Sequence, residues 1–139
     1  MTSAYFFDTK SVPGWQHALS DQPQPADLRR AASAALAPRL DDEELKDVLL
    51  VLTELVTNSY SHTDAPLRAQ VAVTDAGVLV EVSDGNTADL RLQPQSAVRR
   101  DGRGLALVSA IAEDWGVEST RDGQGKTVWA LMLRTGLVL

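Results

Sequence analysis

Glu54 and Asn58 stand four residues apart and His62 follows four later, in a stretch whose apolar residues recur at helical spacing. The three therefore share one stripe of a helix, beside the ridge of Leu52, Leu55 and Ser59. An asparagine amide oxygen is a neutral, hard ligand suited to the octahedral shell of Mg²⁺. A carboxylate one turn away can orient water or accept a hydroxyl proton. Such a pair suits phosphate chemistry, although the same spacing taken alone also describes an ordinary solvated helix face. Asp84 ends a β-run and is followed by Gly85 and Asn86. That tight exit leaves a carboxylate at a strand end, free to accept from an exocyclic amine, or it is a simple turn. Gly102, Arg103 and Gly104 precede another helical run, where two glycines let backbone amides close around phosphates or merely begin a helix.

Two familiar phosphate signatures fail on spacing. Gly102-Arg103-Gly104 has Leu107 where a dinucleotide fingerprint needs its third glycine, and it follows a loop rather than a strand. Gly125-Lys126-Thr127 ends like a P-loop, but Thr120 stands in place of the first glycine and the strand-like VWALML follows where a helix is required.

The elements that must position these residues are legible from periodicity. Asp41 to His62 opens with four acids, which the positive end of a helix dipole favours, and continues with Leu45, Val48, Leu49, Leu52, Leu55 and Val56. Ala26 to Ala37 is a shorter helix stopped by Pro38. Leu67 to Thr74 and Val78 to Ser83 alternate by two and read as an antiparallel hairpin. Gly116 to Thr120 and Thr127 to Arg134 form a second hairpin, and the run after Gly104 is helical. Gly14 to Leu19 reads as an edge strand, Ala4 to Phe7 as a segment that pairs or packs, and Asn86 to Asp101 as a long loop. Ser20 to Pro25 is the one linker-like stretch. Grouped strands with interspersed helices predict an α+β fold: a two-layer α/β sandwich with a mixed, mostly antiparallel sheet covered by helices on one face.

Composition bounds the rest. The 139 residues suit one domain, spanning 1–139, with a single core. A formal charge of −6 disfavours direct binding to a nucleic acid backbone, yet a nucleotide can be held by amides and a divalent ion without a basic surface. The chain has no cysteine, and His17 and His62 lie far apart, so a disulfide framework and a thiolate or histidine metal centre are not expected. No stretch approaches eighteen apolar residues and no secretory leader pattern opens the chain, so the expectation is a cytoplasmic protein with no membrane partner.

Taken in order, ELVTNSYSH at Glu54 to His62, VSDGN at Val82 to Asn86, GRGLALV at Gly102 to Val108 and GKTVWA at Gly125 to Ala130 resemble the N, G1 and G2 boxes and final strand of the GHKL (Bergerat-fold) ATPases. Within them the chain is similar to the bacterial anti-sigma-factor serine/threonine kinases, over roughly residues 26 to 134. The resemblance implies an ATP- and Mg²⁺-dependent protein kinase that phosphorylates a STAS-domain anti-sigma antagonist, or alternatively a non-catalytic, ATP-gated protein that sequesters a sigma factor or antagonist. It implies Glu54 as general base and Asn58 as the Mg²⁺ ligand. It implies Asp84 as acceptor of the adenine amine with Thr127 supporting through water, Asn86 completing the G1 box, and Gly102, Arg103, Gly104 and Leu105 wrapping the phosphates. Members of this family commonly dimerise, so a homodimer is a further expectation. Two departures stand out: the G1 box has glycine one place early with Asn86 at the usual glycine, and Ser59 replaces the usual alanine, a change expected to alter packing alone. A sensor histidine kinase is disfavoured because only His17 precedes the ATPase region and it sits in a strand candidate.

Overall fold

A computed structural model describes residues 14–63, 65–85, 105–120 and 122–134. In chain order they form β1 (Trp15–Ala18), α1 (Pro25–Leu36), α2 (Asp42–His62), β2 (Pro66–Val73), β3 (Gly77–Asp84), α3 (Ala106–Ile111), β4 (Asp114–Ser119) and β5 (Lys126–Leu133). The strands make one sheet in the order β1-β2-β3-β5-β4, and every described pair is antiparallel. The α+β class with helices on one face is thus the observed one. The 4–7 segment and the 86–101 loop lie outside the described residues.

Strand alternation explains which face the helices cover. Val78, Val80 and Val82 of β3, with Val128, Ala130 and Met132 of β5, join Leu52, Leu55 and Val56 of α2 in the main core. The intervening residues, Leu79, Trp129 and Leu131, make a small separate cluster on the other face. α1 begins with Pro25 in its first turn and buries Leu28, Ala32 and Leu36. A hydrogen bond from the Tyr60 hydroxyl to the Pro23 carbonyl, 2.8 Å long, ties its approach to α2.

α2 is the longest described element, and its start is fixed twice. Asp41 accepts from the Glu44 amide at 2.7 Å and Glu44 accepts from the Asp41 amide at 2.9 Å, a reciprocal capping box. Glu44 also pairs with Arg134 at 2.9 Å, just past β5. The Arg134 hydrogen bond, aided by the Asp41 amide, holds the Glu44 carboxyl below its ordinary range. That link pins one end of the helix to the sheet.

β4 begins two residues earlier than the hairpin signal indicated, at Asp114. Asp114 and Trp115 look like the tail of the preceding helix, but α3 ends at Ile111 and Trp115 turns back on it, its indole N–H donating to Ser109 Oγ at 2.8 Å. β5 likewise begins at Lys126 rather than Thr127, which proves decisive for the site.

Candidate functional site

The C-terminal half of α2 meets the end of β3 and the start of β5 around a small cavity of about 10 Å³, lined by Leu55, Asn58, Ser59, His62, Val82, Asp84, Lys126 and Val128. Asn58 and Glu54 are 4% and 6% exposed, so the solvated-face reading of this stripe does not hold. Polar groups are rarely placed this deep on a helix without a partner or a task. The Asn58 amide oxygen has no hydrogen-bond partner among the described residues, and neither has the buried Ser59 hydroxyl. Ser59 therefore contributes more than packing: it adds a second oxygen to the polar end of the cavity. His62, half-buried, completes the stripe at the cavity rim.

Asp84 is buried at the end of β3 and points to the helix side of the sheet, in register with Lys126. Its carboxylate is ion-paired, which the sequence reading did not expect. Lys126 Nζ lies 2.9 Å from Oδ2 and donates to Oδ1 at 3.2 Å, and both side chains are nearly fully buried. Gly125 makes this pairing feasible, because a β-carbon there would overlap the Asp84 carbonyl oxygen. Only a glycine lets the two strands close at this point.

Thr127, the residue expected beside Asp84, faces the other way. Its hydroxyl shares a 2.8 Å hydrogen bond with Ser83 on the opposite face of the sheet. Strand parity is the reason: with Val128 and Ala130 in the core, Lys126 must share their face and Thr127 cannot. The same alternation, read from the sequence, could have identified Lys126. Leu105 is also placed differently from the expected phosphate contact, its side chain fully buried in the core at the start of α3. Any contact it makes with a ligand would have to come from its backbone. Asn86, Gly102, Arg103 and Gly104 lie outside the described residues.

A larger concavity lies elsewhere among the described residues. A groove of about 870 Å³ on the opposite face is lined by Gln70, Glu81, Ser83 and Thr127, among others. It is large enough for a nucleotide, but its polar side chains satisfy one another, Gln70 donating to Glu81 at 2.8 Å and Ser83 bonding Thr127. Unmet buried oxygens are the stronger pointer to a ligand, and these belong to α2.

The donor set fits Mg²⁺ in one specific manner. Among the described residues no three His, Cys, Asp or Glu side chains gather into a metal cage. A single amide oxygen such as that of Asn58 matches a Mg²⁺ ion that takes its remaining ligands from phosphates and water. For the adenine base the fit is poorer, since the acceptor Asp84 is held by Lys126 and the cavity has room for about one water.

No helix among the described residues is long and apolar enough to cross a membrane. Comparison with curated proteins gives no match. The family model of the histidine kinase-like ATPase domain matches residues 19–132, from the end of β1 to β5. This match takes in α2 with Glu54 and Asn58, Asp84 and Lys126, and well over half of the 139 residues. The chain belongs to the histidine kinase-like ATPase domain family, a class of ATP-binding, kinase-like ATPases.

Proposed function

We propose that the chain is an anti-sigma-type regulator: a Mg²⁺-dependent protein serine/threonine kinase that transfers the γ-phosphoryl group of ATP to a hydroxyl of a STAS-domain antagonist. The observation that carries this reading is the burial of Glu54 and Asn58 on one stripe of α2, with the Asn58 amide oxygen unmet among the described residues. Glu54 is the base that takes the acceptor hydroxyl proton as that oxygen bonds to phosphorus and the bond to the β-phosphate oxygen breaks. Asn58 supplies the protein oxygen for Mg²⁺. The ion, when bound, offsets charge on the phosphates. Gly102, Arg103 and Gly104 remain the proposed phosphate wrap on sequence grounds, Leu105 can join them only through its backbone, and Asn86 stays with the base-binding turn.

The test is transfer of label from γ-labelled ATP to candidate STAS proteins. Transfer by the wild type and its loss in Glu54→Gln support the assignment, and equal transfer by both removes Glu54 from the catalytic role.

A second reading is favoured by the Asp84–Lys126 pair, which alters the base-binding end. In it the protein binds nucleotide and captures a sigma factor or antagonist without phosphoryl transfer. Nucleotide-dependent pull-down of the partner with no labelled product distinguishes this reading from the first.

A further inference from the structure

The helix-free face of the sheet holds a second apolar cluster, which the nucleotide reading does not use. Leu79 of β3 and Trp129 and Leu131 of β5 are only 2–3% exposed in a single chain. The described helices do not bury them, because those helices pack with Val78, Val80 and Val82 on the other face. Among the described residues, the apolar neighbour packed against the cluster is Ala72 of β2, which lies in the same sheet. In-plane neighbours shield the sides of an indole but not its outer surface, and an apolar sheet face is buried by a layer laid over it.

The indole of Trp129 is held in one place. A β-carbon at Gly116 would come within 2.8–3.1 Å of three of its ring atoms, so the ring lies against the backbone of the edge strand β4. Its Nε1–H can only donate, and it is buried with no acceptor among the described residues. A buried donor of this kind points to an acceptor in the covering layer.

We propose that the covering layer is the chain's own N-terminal segment: Ala4-Tyr5-Phe6-Phe7 seats on Leu79, Trp129 and Leu131, and one of its backbone carbonyls accepts from Trp129 Nε1. Phe6 and Phe7 are the two phenylalanines of the chain, in a segment whose composition calls for pairing or packing. The point of entry suits this seat. Trp15 pairs with Val71, so the chain reaches β1 beside Ala72, in the same cross-strand row as Leu79 and Leu131. From β1 to β5 is three strand spacings, about 14 Å. The six residues before Gly14 span about 20 Å when extended, enough to carry Phe7 across that row.

The other end of the chain suits the seat less well. Leu133 shares the cluster's face by alternation, yet it is 56% exposed, and a tail folding back from Arg134 would lie on it first. Arg134 is moreover held on the helix side by Glu44. A second copy is not needed either, since the cluster is already buried in one chain.

Hydrogen exchange of the Trp129 indole N–H, followed by heteronuclear NMR on the full chain and assigned by its loss in Trp129→Phe, tests this. Phe6→Ser/Phe7→Ser should speed that exchange by about tenfold or more while the core amides of β3 keep their protection. Removal of residues 135–139 should leave it within about twofold. A spin label on Ala4→Cys, the single cysteine in an otherwise cysteine-free chain, should broaden the Trp129 indole signal and the Leu79 and Leu131 methyl signals. The labelled chain serves the test if the double variant does not fold. Unchanged exchange in a folded double variant, or an absence of broadening, overturns the inference. So does exposure on removal of 135–139, which assigns the cover to the other terminus, and so does protection that fades on dilution, which assigns it to a second copy. None of these outcomes touches α2, so the nucleotide reading stands or falls separately.

Discussion

On the helix-covered face, Glu54, Asn58, Asp84 and Lys126 are polar groups buried among valines and leucines. On the opposite face, Gln70, Glu81, Ser83 and Thr127 line an open groove. The open face has the greater volume, and the closed face has the buried amide and hydroxyl oxygens of Asn58 and Ser59 that no described residue meets. Side chains on the open face can bond one another or water at little cost, so their presence says little about a ligand. A buried amide oxygen that no described residue meets costs stability, and it makes sense where a ligand uses it. Pocket size points to the open face, and polar burial points to α2.

The sharpest way to break this comparison is to remove one carboxylate from the covered face and one hydroxyl from the open one. Glu54→Gln should lower phosphoryl transfer by about a hundredfold or more while nucleotide affinity stays within a few fold. Thr127→Val should leave both within about twofold, being a substitution away from the buried site. A comparable loss in Thr127→Val, measured with the same labelled substrate, would return the site to the open face.

Two glycines give a comparison of a different kind. Gly125→Ala forces a methyl group into the Asp84 carbonyl and should destabilise by about 2–3 kcal/mol in denaturant titration. Gly123, in the turn between β4 and β5, has open space around it but a φ of +71°. Gly123→Ala should cost only about 1 kcal/mol, the strain of a left-handed alanine. Equal costs would mean that the close approach of β3 and β5 is not fixed by Gly125.

The smallest effect belongs to the far end of α2. Glu44 has a lowered carboxyl pKa, chiefly from its hydrogen bond with Arg134, so its contribution is present above the unfolded carboxylate range and fades as pH falls through the folded value. At neutral pH, Glu44→Gln should cost about 1 kcal/mol, the order of one partly exposed charged hydrogen bond. Stability curves of the two proteins should converge as the pH is taken below the acid range in which wild-type Glu44 titrates. A gap that persists undiminished there assigns the effect to packing instead of charge.

The elements were legible in the sequence because each rests on local signals. The acidic opening of α2, its 3.6-residue apolar period and the two-residue alternation of β2 and β3 all act within a few turns or a single hairpin. Element starts were less legible. β4 gains Asp114 and Trp115 from pairing with β5, and a strand partner contributed from elsewhere in the chain leaves no local signature.

For the site, helical spacing alone puts Glu54, Asn58 and His62 on one stripe of α2. The sequence also identified Asp84 as a carboxylate at a strand end. Tertiary structure alone decided that the stripe faces inward, because burial depends on which surface α2 turns to the sheet. It decided too that Lys126 and not Thr127 stands across from Asp84. That pairing depends on the register between strands separated by about forty residues and on a glycine close enough for their backbones to meet. Periodicity specifies a face, but only packing specifies what that face meets.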